Sequence, residues 1–134
     1  MIVVDTNVIV YLYTTTEYSS DAEALLKKDG SWLVPYLWRC EFRNVLAVMA
    51  RNGMIPLHTA FHIYYEAGTL FSGREYNPDP SEVLRLAYNS GCSAYDCEFI
   101  SLSRYFGTAF ITMDSGLLHA FPETARKLTD YVRR

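Results

Sequence analysis

Cysteine is scarce. Cys40, Cys92 and Cys97 are odd in number and lack Cys-x-x-Cys spacing, so neither a disulfide framework nor a four-cysteine zinc site is indicated, and a reducing, cytoplasmic setting is expected. No apolar run approaches the roughly 20 residues that a membrane-spanning helix needs. The opening Met1-Ile2-Val3-Val4 meets Asp5 at once with no basic stretch before it, so it does not read as a signal peptide. Nothing resembles a Gly-x-Ser-x-Gly nucleophile elbow, which argues against a hydrolytic triad. There is no Pro/Ser-rich or low-complexity segment and no internal repeat of solenoid length.

What remains is a packed globular profile: 134 residues, 50% hydrophobic and 15% aromatic, with eleven tyrosines. That length is enough to bury about two-thirds of the unfolded surface in one core, so a single domain over 1–134 is expected. The net charge of −3 at first argues against a nucleic-acid partner. Four acids singled out below carry four of those negative charges, and without them the remaining surface stands near +1, so net charge excludes neither class.

The chain alternates short apolar runs with helical patterns. Residues 2–4 read as a buried strand, with Asp5-Thr6-Asn7 as cap candidates for a helix over about 8–13. A second helix starts after Ser19 or Ser20 and stops at Gly30, and Trp32-Leu33-Val34 reads as a strand. A long helical pattern follows from Tyr36 to about Asn52, ended by Gly53, and Pro56 opens another to about Leu70, the two forming a hairpin. The stretch 71–78 is irregular, with a short strand near Glu75-Tyr76. Asp79-Pro80 starts a helix ending at Gly91, Ser93 caps one over 94–106, and Ala109–Thr112 forms a strand delivering Asp114. The tail after Pro122 fits no one pattern. This alternation predicts an α/β fold whose parallel sheet is covered on both faces, with its ligand site beyond the carboxyl ends of the strands. Asp5 and Asp114 lie there.

Glu41 falls in the stripe Leu37, Glu41, Val45, Val48, which places a carboxylate toward the core. Asp96 has Tyr95, Phe99 and Ile100 within a turn. Buried acids without partners are costly, and four of them together raise one another's pKa values unless a cation sits among them. Hard oxygen ligands without nearby His or Cys suit Mg²⁺ or Mn²⁺ over zinc. Simpler structural roles compete: Asp5 as a strand-end turn, Glu41 paired with Arg39 or Arg43 at the surface, Asp96 and Asp114 as caps.

Four blocks in order, Val3-Val4-Asp5-Thr6-Asn7, Pro35 followed by Glu41-Phe42-Arg43-Asn44-Val45-Leu46, Ser93-Ala94-Tyr95-Asp96-Cys97-Glu98-Phe99, and Phe110-Ile111-Thr112-Met113-Asp114, resemble the PIN domain. The likeness is greatest to the small stand-alone kind found as VapC-type toxins of prokaryotic toxin–antitoxin pairs, and it spans nearly the whole chain. The resemblance implies a three-layer α/β/α sandwich and a metal-dependent endoribonuclease cleaving single-stranded RNA, with Mg²⁺ or Mn²⁺ held by Asp5, Glu41, Asp96 and Asp114. It makes Asp5 and Asp96 the most direct ligands, Asp114 the group completing that site or a second one, and Glu41 the group orienting the attacking water. Thr6, Asn7 and Thr112 match positions that support the site by hydrogen bonding. A small antitoxin and a homodimer are the implied partners. Cys97 and Ser103 depart mildly from the pattern, standing where alanine is usual.

Other features point elsewhere. His58 and His62 are spaced i, i+4, but the HExxH glutamate is absent and His119 is distant in sequence. Asp5 after a strand is shared with aspartyl-phosphate phosphatases, yet their second Asp is Asn7 here. Leu57, Phe61, Tyr64 and Tyr65 form a helical stripe that is either core or interface. Arg39 and Arg43 share a face beside Glu41 and either contact RNA phosphates or only solvate the helix. The alternative of another class is a catalytically silent PIN-like module that binds RNA or protein without turnover.

Overall fold

The computed structural model describes residues 1–133. The elements, in chain order, are β1 (Ile2–Val4), α1 (Thr6–Tyr13), α2 (Ser19–Lys28), β2 (Trp32–Pro35), α3 (Trp38–Arg51), α4 (Leu57–Leu70), β3 (Glu75–Tyr76), α5 (Pro80–Ser90), α6 (Ala94–Phe106), β4 (Phe110–Thr112), α7 (Ser115–Ala120), β5 (Ala125–Lys127) and α8 (Leu128–Val132). The strands form one five-stranded sheet in the order β3-β2-β1-β4-β5, parallel at every pairing. Helices α1, α2 and α8 pack together, α5 and α6 form another pair that crosses the sheet, and the α3–α4 hairpin extends from α1. The result is the expected α/β/α sandwich with a parallel sheet.

Local chemistry sets the boundaries. The Ile2-Val3-Val4, Leu33-Val34 and Phe110-Ile111 runs are buried throughout, as strands covered on both faces must be. Asp79 caps α5, with Pro80 in its first turn, where a missing N–H costs nothing. Ser93 caps α6. Gly91 and Gly107 end these two helices at φ 76° and 62°, a left-handed conformation that residues with a Cβ adopt only under strain.

Two features depart from the sequence reading. First, the chain beyond Asp114 is ordered as α7, β5 and α8, and β5 forms one edge of the sheet. Second, α3 turns a different stripe inward. Trp38, Phe42 and Leu46 are its buried residues, whereas Leu37, Glu41 and Val45 are only half-buried and Val48 is exposed. The larger aromatic side chains take the core because they remove more apolar area from water. Trp38 packs against Phe42 and Phe71 at ring-centroid distances of 5.6 and 4.8 Å. Glu41 therefore lies at the margin of the core.

The chain leaves β1 for β2 on one side of the sheet and returns from β3 to β4 on the other, so the strand order reverses between β1 and β4. The crevice beyond their carboxyl ends is the topological switch point where ligands bind in open α/β sheets. Asp5 immediately follows β1, and Asp114 lies two residues past the end of β4.

Candidate functional site

Asp5 is the buried centre of the site, 8% exposed. It is the N-cap of α1. Its Oδ1 accepts the Thr6 backbone N–H at 2.8 Å and its Oδ2 accepts the Thr112 hydroxyl at 2.7 Å. Burial pushes its carboxyl up to about 7; the Thr112 and Thr6 hydrogen bonds pull it down, and Glu41 and Asp96 push it up by repulsion. Each Asp5 oxygen accepts one hydrogen bond and so keeps lone-pair capacity for a further partner.

Thr112 is a junction. Besides donating to Asp5, its hydroxyl oxygen accepts the Asp114 backbone N–H at 3.0 Å and the Asn7 amide at 3.4 Å. One side chain at the end of β4 thus fixes the β1 acid, the β4 acid and the first turn of α1. The hydroxyl of Thr6 donates to Glu41 Oε1 at 2.7 Å, tying α1 to α3. Burial raises the Glu41 pKa, the Thr6 hydrogen bond lowers it, and Asp96 and Glu98 raise it further.

Asp96, in the first turn of α6, is raised first by burial and then by repulsion from Asp114, against a hydrogen bond with Ser93. Asp114 is exposed and caps α7, its Oδ1 accepting the Leu117 N–H at 3.0 Å. The structure thus brings the four acids near one another: Glu41 and Asp96 repel Asp5, Asp96 repels Glu41, and Asp114 repels Asp96. Asp5 and Asp114 are at the same time the N-caps of α1 and α7.

Among the described residues, no three acid, histidine or cysteine side chains converge closely enough to chelate an ion unaided. The donor chemistry nonetheless fits a hard divalent cation. Mutual repulsion leaves the carboxylates short of positive charge, and Asn7 Oδ1 is a buried acceptor without a hydrogen-bond partner. Such a group fits an ion bound directly by one or two carboxylates and reached by the others through its retained waters, which is how Mg²⁺ is commonly held.

Sequence reasoning passed over two residues. Glu98, two positions after Asp96, is raised by burial and acts on Glu41; its only sequence signal is a further acid on α6. Glu75 is the other. Its carboxylate accepts Trp38 Nε1–H at 2.9 Å, Arg39 Nε–H at 2.6 Å and Arg39 Nη2–H at 2.7 Å. Arg39 also donates to the Tyr64 hydroxyl and lies over the Trp38 and Tyr64 rings. Arg43 donates to the same hydroxyl at 2.7 Å and to Cys40 Sγ. Arg39 is therefore committed to β3, and Glu41 has no ion pair with either arginine. His58 and His62 are exposed on α4, where His62 lies 3.7 Å from Glu66.

The aromatic stripe on α4 is outward-facing. Leu57, Phe61 and Tyr65 are exposed, Tyr64 is half-buried, and Ala60, Ile63 and Ala67 fill the core side instead. With Arg43, Leu46, Ala47 and Ala60, the stripe lines a groove of about 370 Å³ between α3 and α4. No helix among the described residues is long and apolar enough to cross a membrane.

A family model for the PIN domain matches residues 2–125. No curated protein matches the chain. Among solved structures, PAE2754 from Pyrobaculum aerophilum is similar at 22% identity and a TM-score of 0.79, covering 99% of this chain and 94% of its own. FitAcB from Neisseria gonorrhoeae is 18% identical with a TM-score of 0.71, covering 96% and 99%. FitAB bound to an IR36 DNA fragment is 18% identical with a TM-score of 0.72, covering 96% and 95%. At such identities these likenesses concern the fold alone.

Proposed function

From the premise that the chain belongs to the PIN-domain family, whose members are generally nucleases, we propose that it is a metal-dependent endoribonuclease cleaving single-stranded RNA. Residues 1–134 act in this reading as one PIN-like domain. The observation that carries it is the gathering of Asp5, Glu41, Asp96 and Asp114 at the switch point between β1 and β4, with burial and mutual repulsion raising three of them above their ordinary range.

Asp5 and Asp96 would hold Mg²⁺ or Mn²⁺, and Asp114 would complete that site or a second one. Such an ion supplies an activated water and neutralises charge on the leaving oxygen. The chain's own residues do the rest. Thr112 and the Thr6 N–H occupy one position on each Asp5 oxygen and so aim the remaining lone pairs. Thr6 engages Glu41 Oε1, which leaves Oε2 to accept a hydrogen bond from the attacking water and so orient it. Asn7 supports the site through Thr112.

The chain acts, we further propose, as the toxin of a toxin–antitoxin pair in the cytoplasm, neutralised by a small antitoxin that covers the acids. The exposed Leu57, Phe61 and Tyr65, with Val48 and Met54 near the hairpin turn, support protein association through α3–α4, including homodimerisation, because contiguous exposed apolar surface marks interaction sites.

The test is incubation of defined single-stranded RNAs with and without Mg²⁺ or Mn²⁺, comparing wild type with Asp5→Asn and Asp96→Asn. Metal-dependent cleavage lost in both variants is expected. RNA binding without cleavage by any of the three would instead indicate a binding module without turnover, and undiminished cleavage by the variants would overturn the assignment of the acids.

A further inference from the structure

A site carrying four acids needs positive charge to hold a polyanion, and a bound ion alone serves only the reacting phosphate. Most basic side chains are engaged elsewhere: Arg39 by Glu75, Arg43 by Tyr64, Arg85 by Glu82, and Arg126 by the carbonyl oxygens of Pro122 and Ala125. Lys127 differs. It is the last residue of β5, it is exposed, and it has no hydrogen bond or ion pair with any described residue.

Its place follows from the ladder. In the β4–β5 pairing, Phe110 stands beside Ala125, Ile111 beside Arg126 and Thr112 beside Lys127. Residues level on neighbouring strands lie about 5 Å apart and send their side chains from the same face of the sheet. Lys127 therefore leaves the sheet on the same side and at the same carboxyl edge as Thr112, whose hydroxyl reaches Asp5 and the Asp114 backbone. A four-carbon stem ending in a point charge is suited to reach past that edge to a phosphate.

We propose that Lys127 binds the RNA backbone on the Asp114 side of the site, contacting a phosphate next to the scissile one. This rests on the ribonuclease reading and adds the substrate's path: the strand crosses the switch point toward β5. Lys127 contacts substrate and takes no part in bond cleavage, so its effect belongs in KM.

The test measures kcat and KM for a defined single-stranded RNA in Mg²⁺ across a KCl series, for wild type, Lys127→Gln, Lys127→Arg and Lys27→Gln. Lys27 is exposed at the end of α2, remote from the carboxyl edge. Losing one phosphate contact on a single strand flattens the slope of log(kcat/KM) against log[KCl] by about 0.7, which amounts to about fivefold at 0.1 M salt. Lys127→Gln should show that loss in KM with kcat kept, Lys127→Arg should restore it, and Lys27→Gln should match wild type. Cleavage by Lys127→Gln with wild-type KM and salt slope would overturn the assignment while leaving the ribonuclease reading intact. Absence of metal-dependent cleavage in the wild type would overturn both.

Discussion

Replacing Asp5 with Asn should make the metal-free protein more stable at pH 8 but much less so at pH 5. Asp5 is raised from 3.8 to about 7 in the native state. Between those values the native state keeps a proton that the unfolded chain has released, so native stability falls as pH rises through the window and levels off above about 7. With about 1.4 kcal/mol per unit, roughly 2 kcal/mol is lost by pH 5 and roughly 4 kcal/mol by pH 8. Asn carries no charge and can accept the Thr6 N–H with its oxygen, so it escapes the loss; it gives up the hydrogen bond from Thr112, whose hydroxyl oxygen already accepts from Asp114 and Asn7, at a cost that does not change with pH. The advantage of Asp5→Asn over wild type should therefore grow by about 3 kcal/mol from pH 5 to pH 8, two units at about 1.4 kcal/mol each. Urea unfolding in EDTA at the two pH values measures it directly. Excess Mg²⁺ should narrow the gap at pH 8 by stabilising wild type alone, by about 2.7 kcal/mol at a hundredfold excess over Kd. A pH-independent difference between the two proteins would refute the buried, repelled carboxylate.

Thr112→Val removes the donor to Asp5 and the acceptor of the Asp114 N–H; it should cost about 1–3 kcal/mol in urea unfolding and weaken Mg²⁺ binding about 10- to 100-fold by calorimetry. Glu75→Ala strands the half-buried Arg39 and leaves the Trp38 indole N–H without an acceptor, so a loss of about 2 kcal/mol is expected after allowing for solvent around the arginine. The same variant should not tighten RNA binding in a filter assay; if it does, Arg39 is available to substrate after all. Phe61→Asp, at an exposed position, should lower the sedimenting mass from dimer to monomer while keeping a cooperative melting transition, and an unchanged mass would exclude this face from self-association.

The sheet and its four long helices were legible because their signals are local: apolar runs, Asp79 and Ser93 as caps, Gly91 and Gly107 as stops. The acids Asp5 and Asp114 were legible for the same reason, each following a strand. What escaped depends on distant partners. The face of α3 was misjudged because Leu37–Val45–Val48 and Trp38–Phe42–Leu46 are both apolar stripes one residue apart, and only packing against Phe71 chooses between them. Arg39 looked free because its partner Glu75 lies 36 residues away. The strand β5 was invisible: Ala125-Arg126-Lys127 has no strand-like composition and exists because β4 offers it a ladder. That hidden strand carries the lysine assigned to substrate.

The two borders of the sheet bear on how copies of this chain meet. One border is β3, two residues long and clamped by side chains from α3; the other is β5, three residues long and carrying Arg126 and Lys127. Strands this short, or this charged, give little template for backbone pairing with another molecule. Sheet-to-sheet growth and the aggregation that follows from it are thereby discouraged at both ends, which leaves helical surfaces as the available route to assembly.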